Sequence, residues 1–467
     1  MKRSKRLIGL LGILGITCVA TYGITKYEEE KELIKNSDEI ILELDSEKVT
    51  ALSWEYDEEQ LAFHKDENWY WDEDETFPVD EEKIMDMLDM FESFGVSFVI
   101  EEVEDYAQYG LDDPMCTIRV ETETETYKLE LGDYSTMDSE RYVTLGDGKV
   151  YLVQKDPFDT FERTISDMIL HDEIPPVSEA EEILFTGAEE TRIFYEKNSD
   201  KTYGDYDVYF MEQGEESLPL DTPTMNDYLR TIRNLNPKEY VTYNATEEEL
   251  STYGMTEPEL TISLTYTAED EETEEESAES FVLHVSRNPE ELEREKKEGS
   301  EDTEEEINAY ARIGESPIIY KISDEDYKAL TAVSYNDLRH KEVLTASFKN
   351  INQIDISLED ADYTITTEGN SEGRRYFYNE EELEIGTFQS ALTVLEAEEF
   401  TDEMPTEKKE IDLVIHLDDP NYPEVNVELY RYDGNQCMAV VDGNPVSLVK
   451  RSQVVDLIEA VYAVVLE

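Results

Sequence analysis

Apolar and polar positions alternate along VTALSWEY (from Val49), LAFHKD (from Leu61) and NWYWDE (from Asn68), a period of two that predicts strands with one buried face. The period then lengthens. Ile84, Leu88 and Phe91 recur at helical spacing behind Asp80, which is placed to cap a helix over Asp80–Phe94. A short turn-rich segment follows, then four strand-like runs paired as hairpins, then a closing helix in FDTFERTISDMIL (from Phe158). Strands and helices fall in separate blocks, so the predicted fold class is α+β with antiparallel sheets.

The same order returns. Tyr109-Gly110-Leu111-Asp112-Asp113-Pro114 with Thr117-Ile118 recurs as Tyr253-Gly254-Met255-Thr256-Glu257-Pro258 with Thr261-Ile262, a shift of 144 residues. The helical stripe recurs in the same register as Tyr228, Ile232 and Leu235, in a helix over Met225–Leu235 that Thr222-Pro223 opens as N-cap and N1. Further on, YKLELGDY (from Tyr127) answers to FVLHVSRN (from Phe281), and RYVTLGDGKVYLV (from Arg141) to AYARIGESPIIYKI (from Ala309). Two acidic insertions, Ala268–Glu279 and Pro289–Glu306, stretch the second copy and are expected to be solvated loops.

A divergent third copy maps Leu52, Trp54, Leu61 and Phe63 onto Ile354, Ile356, Tyr363 and Ile365 at a shift of 302. Phe388, Leu392 and Leu395 echo its helix, and MAVVDGNPVSLV (from Met438) echoes its last hairpin, but the tyrosine-glycine-proline turn is missing. The expected organisation is therefore a signal anchor or transmembrane helix in 1–26, a charged stalk in 27–45, and repeat units in 46–175, 176–345 and 346–467.

Composition narrows the function classes. The 467 residues hold 39 basic and 116 acidic side chains, a net charge of −77. No broad basic face is available, so nucleic acid is excluded as a partner. Low hydrophobicity at 39% leans toward disorder, but 30 tyrosines and 10% aromatics favour a folded, multi-domain chain. The leader MKRSKR precedes an uncharged apolar stretch, Leu7 to Ile24, whose length of about 27 Å in a helix suffices to cross a bilayer. We read residues 7–24 as an uncleaved single-pass anchor, with cleavage after Ala20 as the alternative. The positive leader stays cytoplasmic, which puts the bulk of the chain outside the membrane. Cys18 lacks a lipoprotein setting, since Gly15 and Thr17 stand where leucine and a small residue belong. Cys116 and Cys437 sit in apolar strand-like runs and are expected to be buried thiols.

Candidate chemistry is sparse. Tyr-Gly-x-x-x-Pro reads as a turn in which glycine ends a helical turn and proline prevents its continuation. Asp72-Glu73-Asp74-Glu75 approaches a calcium loop but lacks its glycine. Gly146-Asp147-Gly148-Lys149 fails the phosphate-loop spacing and fits a hairpin turn. His64, His171, His284, His340 and His416 are far apart, without ligand spacing. Trp69-Tyr70-Trp71 and Tyr376-Phe377-Tyr378 are assigned to sheet packing rather than to a sugar platform. No catalytic residue, cofactor site or metal site is assigned, and the chain is read as a non-enzyme.

The basic leader with its single span, the helix after PVDEEKIMDMLDMF, the Y-G-L-D-D-P turn with its T-I strand and the GDGKVYLV hairpin together resemble domain-of-unknown-function family 4340. That resemblance implies a membrane-anchored bacterial protein, of a kind often encoded beside gliding-motility-type ABC transporters, and hence an accessory extracytoplasmic subunit. It supplies no catalytic residues. The expected function is a membrane-anchored extracytoplasmic scaffold or partner-binding protein. The alternative is a cell-envelope enzyme or ligand binder acting on wall polymers.

Overall fold

The computed structural model describes residues 39–57, 59–101, 103–269, 276–291, 307–359 and 361–465. The anchor in 1–26 and most of the stalk lie outside the described residues, as do 270–275 and 292–306 of the two insertions. Among the described residues no helix is long and apolar enough to cross a membrane. The last part of the segment assigned to the stalk is not a stalk, because Glu39–Leu42 is a strand paired with Phe94–Ile100.

Three nine-stranded antiparallel sheets, one per copy, share one order over eight strands. The ninth is an added edge strand in the second and third (Glu216–Pro219 and Glu381–Leu383) and Glu39–Leu42 at the other edge in the first. In the second, Glu182–Thr186 lies between Glu190–Tyr195 and Leu260–Glu269, the latter beginning a run of Glu276–Arg287, Ala309–Ile313 and Ile319–Ile322. The third places Ile351–Leu358 in the same way between Ala361–Glu368 and Lys409–Leu417, and the first places Val49–Tyr56 between Glu59–Lys65 and Cys116–Thr122. The strands join copies at equivalent side chains. Leu52 faces Phe63 and Trp54 faces Leu61, just as Ile354 faces Ile365 and Ile356 faces Tyr363. Matching the pleat in this way keeps the same alternate residues on the core side of each sheet.

Helices cover that apolar face. Ile84 and Leu88 of Glu81–Asp89, Tyr228 and Ile232 of Thr222–Asn234, and Phe388 and Leu392 of Gly386–Thr393 are all buried. The 15-residue helix Arg451–Val465 closes the third copy against Gly386–Thr393, burying Val454, Leu457 and Val461. By compactness the chain divides into 1–172 and 173–467, so the second and third copies share one unit.

Several expectations need correcting. The first helix stops at Asp89. Phe91 and Phe94 pack edge to face at 5.5 Å, and Phe94 already begins a strand. Each copy in fact has a strand soon after its helix (Phe94–Ile100, Tyr240–Thr242, Ala397–Phe400) that adds to the far side of the four-strand run. The second helix is capped by Asp221, which accepts from Thr224 N at 3.0 Å. Thr222 is not the cap, since its hydroxyl is engaged with Tyr206 O and Val208 N. The closing helix of the first copy breaks into Phe158–Phe161 and Ile165–Met168, because Thr164 turns extended and starts a new capping box with Asp167. The insertion Ala268–Glu279 is also no simple loop, since its ends continue a ladder down to the pair Glu269 and Glu276.

Candidate functional site

The Tyr-Gly turns are equivalent structural parts. Gly110 (φ 69°) ends the 3-10 turn Ala107–Tyr109, and Gly254 (φ 73°) follows the helix Glu247–Thr252. A Cβ would lie 2.8 Å from Asp133 N in one and 2.9 Å from Arg287 O in the other, so only glycine fits without movement. The rings confirm the register, with Tyr109 packing on Tyr142 at 4.9 Å and Tyr253 on Tyr310 at 4.8 Å.

The remaining candidates resolve individually. Gly146 and Gly148 adopt positive φ in the turn between Glu140–Thr144 and Val150–Val153. Asp72 Oδ1 lies 2.7 Å from His64 Nδ1. No three metal-ligating side chains gather among the described residues. Trp69 and Tyr376 are buried, while their neighbours in the two aromatic triplets are half-exposed. Cys116 and Cys437 are free, and burial pushes each thiol up to about 12. His284 meets Thr261 at 2.9 Å and His416 meets Asp355 at 2.8 Å, across strand pairs.

His340 differs from the other histidines. It lies where the second and third copies meet, with Nε2 2.8 Å from Asp207 Oδ1 and Nδ1 3.4 Å from Asp221 and 3.8 Å from Glu342. Burial opposes its charge, but the hydrogen bonds to Asp207 and Glu342 and the nearby Asp221 outweigh that and raise its pKa to about 9. In return, the imidazolium holds Glu342 below the usual carboxylate range. Asp207 is itself buried and accepts from Thr202 at 2.6 Å, with Gly204 leaving space for its carboxylate.

The segment 196–208 that carries Asp207 bridges to the third copy. Asp205 accepts from Asn350 at 2.7 Å and pairs with Lys349 at 2.6 Å, and Tyr203 packs edge to face on Tyr422 at 5.6 Å. Beside this joint opens a cleft of about 280 Å³. Tyr203, Tyr422, Val441 and Val446 line it, as do Tyr335, Arg339, His340, Glu342 and Phe400. The guanidinium carbon of Arg339 lies over the rings of Tyr335 and Phe400, 4.6 Å from each ring centre. Its Nε–H is buried and meets no acceptor among the described residues. Sequence reading singled out His340 only as one of five isolated histidines and passed over Arg339 altogether.

A chain of three antiparallel-sheet repeats, with a charged joint and an aromatic-lined cleft between two of them, is a repeat protein with packed cores. The model of the family described as Domain of unknown function (DUF4340) matches residues 69–258 and again 213–414, and the chain belongs to that family. The two matches start 144 residues apart, at 69 and 213, which is also the spacing of Tyr109 and Tyr253. No curated protein and no solved structure matches.

Proposed function

We propose that the chain is a membrane-anchored, extracytoplasmic scaffold that binds a protein partner and serves as an accessory part of an ABC transport system. The observation that carries this reading is the repetition itself. Three copies of one sheet-and-helix unit, each with buried apolar residues of its own, each present an outer face, and repeat architectures are suited to holding partners. The apolar stretch in residues 7–24 behind a basic leader supports a single span with the bulk outside. The transporter as partner is an expectation from the family likeness alone.

Two measurements on the full chain test the proposal. Protease added to intact spheroplasts should digest the bulk of the 54.1 kDa species, and its full protection would overturn the topology. Crosslinking in membranes followed by pull-down should recover transporter subunits. Their absence, with other envelope proteins recovered instead, would remove the transporter from the reading.

A further inference from the structure

We propose that the cleft between the second and third copies binds a carboxylate carried next to an apolar group, with Arg339 capturing the oxyanion and Tyr203, Tyr422, Val441 and Val446 receiving the apolar part. The proposal goes beyond the scaffold reading and stands whether or not the chain has a protein partner.

The argument starts from Arg339. The guanidinium carbon lies 4.6 Å from the ring centres of both Tyr335 and Phe400, so the two rings restrain the group and leave its N–H groups to bond elsewhere. Rings hold the fork in place but accept none of its N–H groups, and the buried Nε–H has no acceptor among the described residues. No carboxylate pairs with Arg339 among the described residues, although acids outnumber bases 116 to 39 along the chain. Glu342, which also lines the cleft, is engaged with His340, as is Asp207. Lys341 also lines the cleft and adds to its positive character.

A fork fixed in this way suits a planar carboxylate, which bonds two parallel N–H groups in the guanidinium plane. Holding it by stacking before the ligand arrives lowers the ordering cost of binding. Tyr203, Tyr422, Val441 and Val446 make part of the remaining lining aromatic and aliphatic, so the group beside the carboxylate should be apolar. A volume of about 280 Å³ lies at the small end of ligand sites, which limits the occupant to a compact molecule or the last residue of a chain. Both sources present the same chemistry, a terminal carboxylate beside an apolar side chain.

Calorimetric titration of the full chain in detergent separates these cases. The probes are N-acetyl-L-phenylalanine, its amide, the peptide Ala-Ala-Phe with a free C-terminus, and that peptide amidated. We expect saturable one-site binding of at least one acid, with its amide weaker by about tenfold or more. Binding of the free amino acid derivative alone supports a small-molecule ligand, and binding of both acids supports a chain end. Arg339→Gln should weaken the acid by about tenfold or more, and Arg339→Lys, which keeps the charge but loses the flat fork, should weaken it too. Val446→Trp narrows the cleft beside Phe400 while keeping Arg339 itself, and should abolish binding. It carries the test if the Arg339 variants do not fold. Equal affinity for acid and amide, unchanged affinity in Arg339→Gln, or no saturable binding of any probe up to about 10 mM would overturn the proposal.

Discussion

The first copy turns from Lys65 to Trp69 through three residues, whereas the second places thirteen, 196–208, between Tyr195 and Tyr209. Both segments connect equivalent strands, so the difference is an addition to a common frame. In the first copy the turn closes on itself, with Asp66 N bonded to Asn68 O. The longer segment of the second copy reaches the third through Tyr203 and Asp205, while its Asp207 holds His340 beside the boundary. The helix caps differ in the same sense. Asp80 meets Lys83 of its own helix, while Asp221 meets His340 from the joint. One repeat thus becomes a joining unit by adding a short polar loop and exchanging a local partner for a distant one.

Breaking the joint should therefore cost far more than breaking its counterpart. His340→Ala leaves the buried Asp207 without its cation and should destabilise the unit 173–467 by about 3–5 kcal/mol, read from urea unfolding at pH 7. Lys83→Ala removes a half-exposed pair within one helix and should cost less than about 1 kcal/mol. Equal costs would mean that the joint is not held by this cluster. The pH dependence has a definite sign. The pKa of His340 is raised on folding to about 9, from about 6.5 for a free histidine, so its contribution is complete below about pH 6.5. It is lost as pH rises from there through about 9, a fall of roughly 3 kcal/mol that His340→Gln should remove. A urea midpoint in the parent that does not fall between pH 6.5 and 9 would contradict this assignment.

The frame was legible in the sequence for a physical reason, and the joint was hidden for another. Strands with one buried face must alternate, so Leu52 and Trp54 could be aligned with Ile354 and Ile356 before any pairing was known. Glycines held at positive φ cannot drift, so the two Tyr-Gly turns kept a common spacing. The strands after the helices escaped notice because FGVSFVI continues an apolar helical stripe without a break, and YVT and AEEF are too short to show a period. His340 and Asp207 are 133 residues apart, and one aspartate among 116 acids has no local mark. The available signal was the extra length at 196–208, with Gly204 beside an acidic, tyrosine-rich run.

The glycine turns test the sameness of the copies rather than their difference. Gly110→Ala and Gly254→Ala each force a side chain into a left-handed position against backbone atoms, and each should cost about 1–3 kcal/mol by urea unfolding. Gly434 has no positive φ and faces open space, so Gly434→Ala should stay within about 0.5 kcal/mol of the parent. A cost in one turn without a cost in the other would mean that their like geometry does not bear like loads.

The second copy carries a further addition, and it should matter least. Where the first copy closes the hairpin after Cys116–Thr122 with Thr122 N bonded to Glu125 O, the second extends its ladder to Glu269 and Glu276 and inserts 270–275, five of whose six residues are acidic. Two like charges already face each other at the last rung, an arrangement that weakens a strand pair. Replacing 270–275 by Asn-Gly shortens the connection, and halving a loop changes its closure cost by only about 0.6 kcal/mol. The same change removes five negative charges from a chain of net −77, which relieves repulsion when salt is low. We therefore expect a stability within about 1 kcal/mol of the parent at physiological salt, with a gain of a few tenths at low ionic strength. Calcium and magnesium at equal concentration should raise the melting temperature of both proteins alike, as general screening does. A calcium-specific rise that disappears with 270–275 would make this hairpin tip an ion site. Both insertions in the second copy would then do structural work, and length added to the common frame would no longer separate a joint from a dispensable tip.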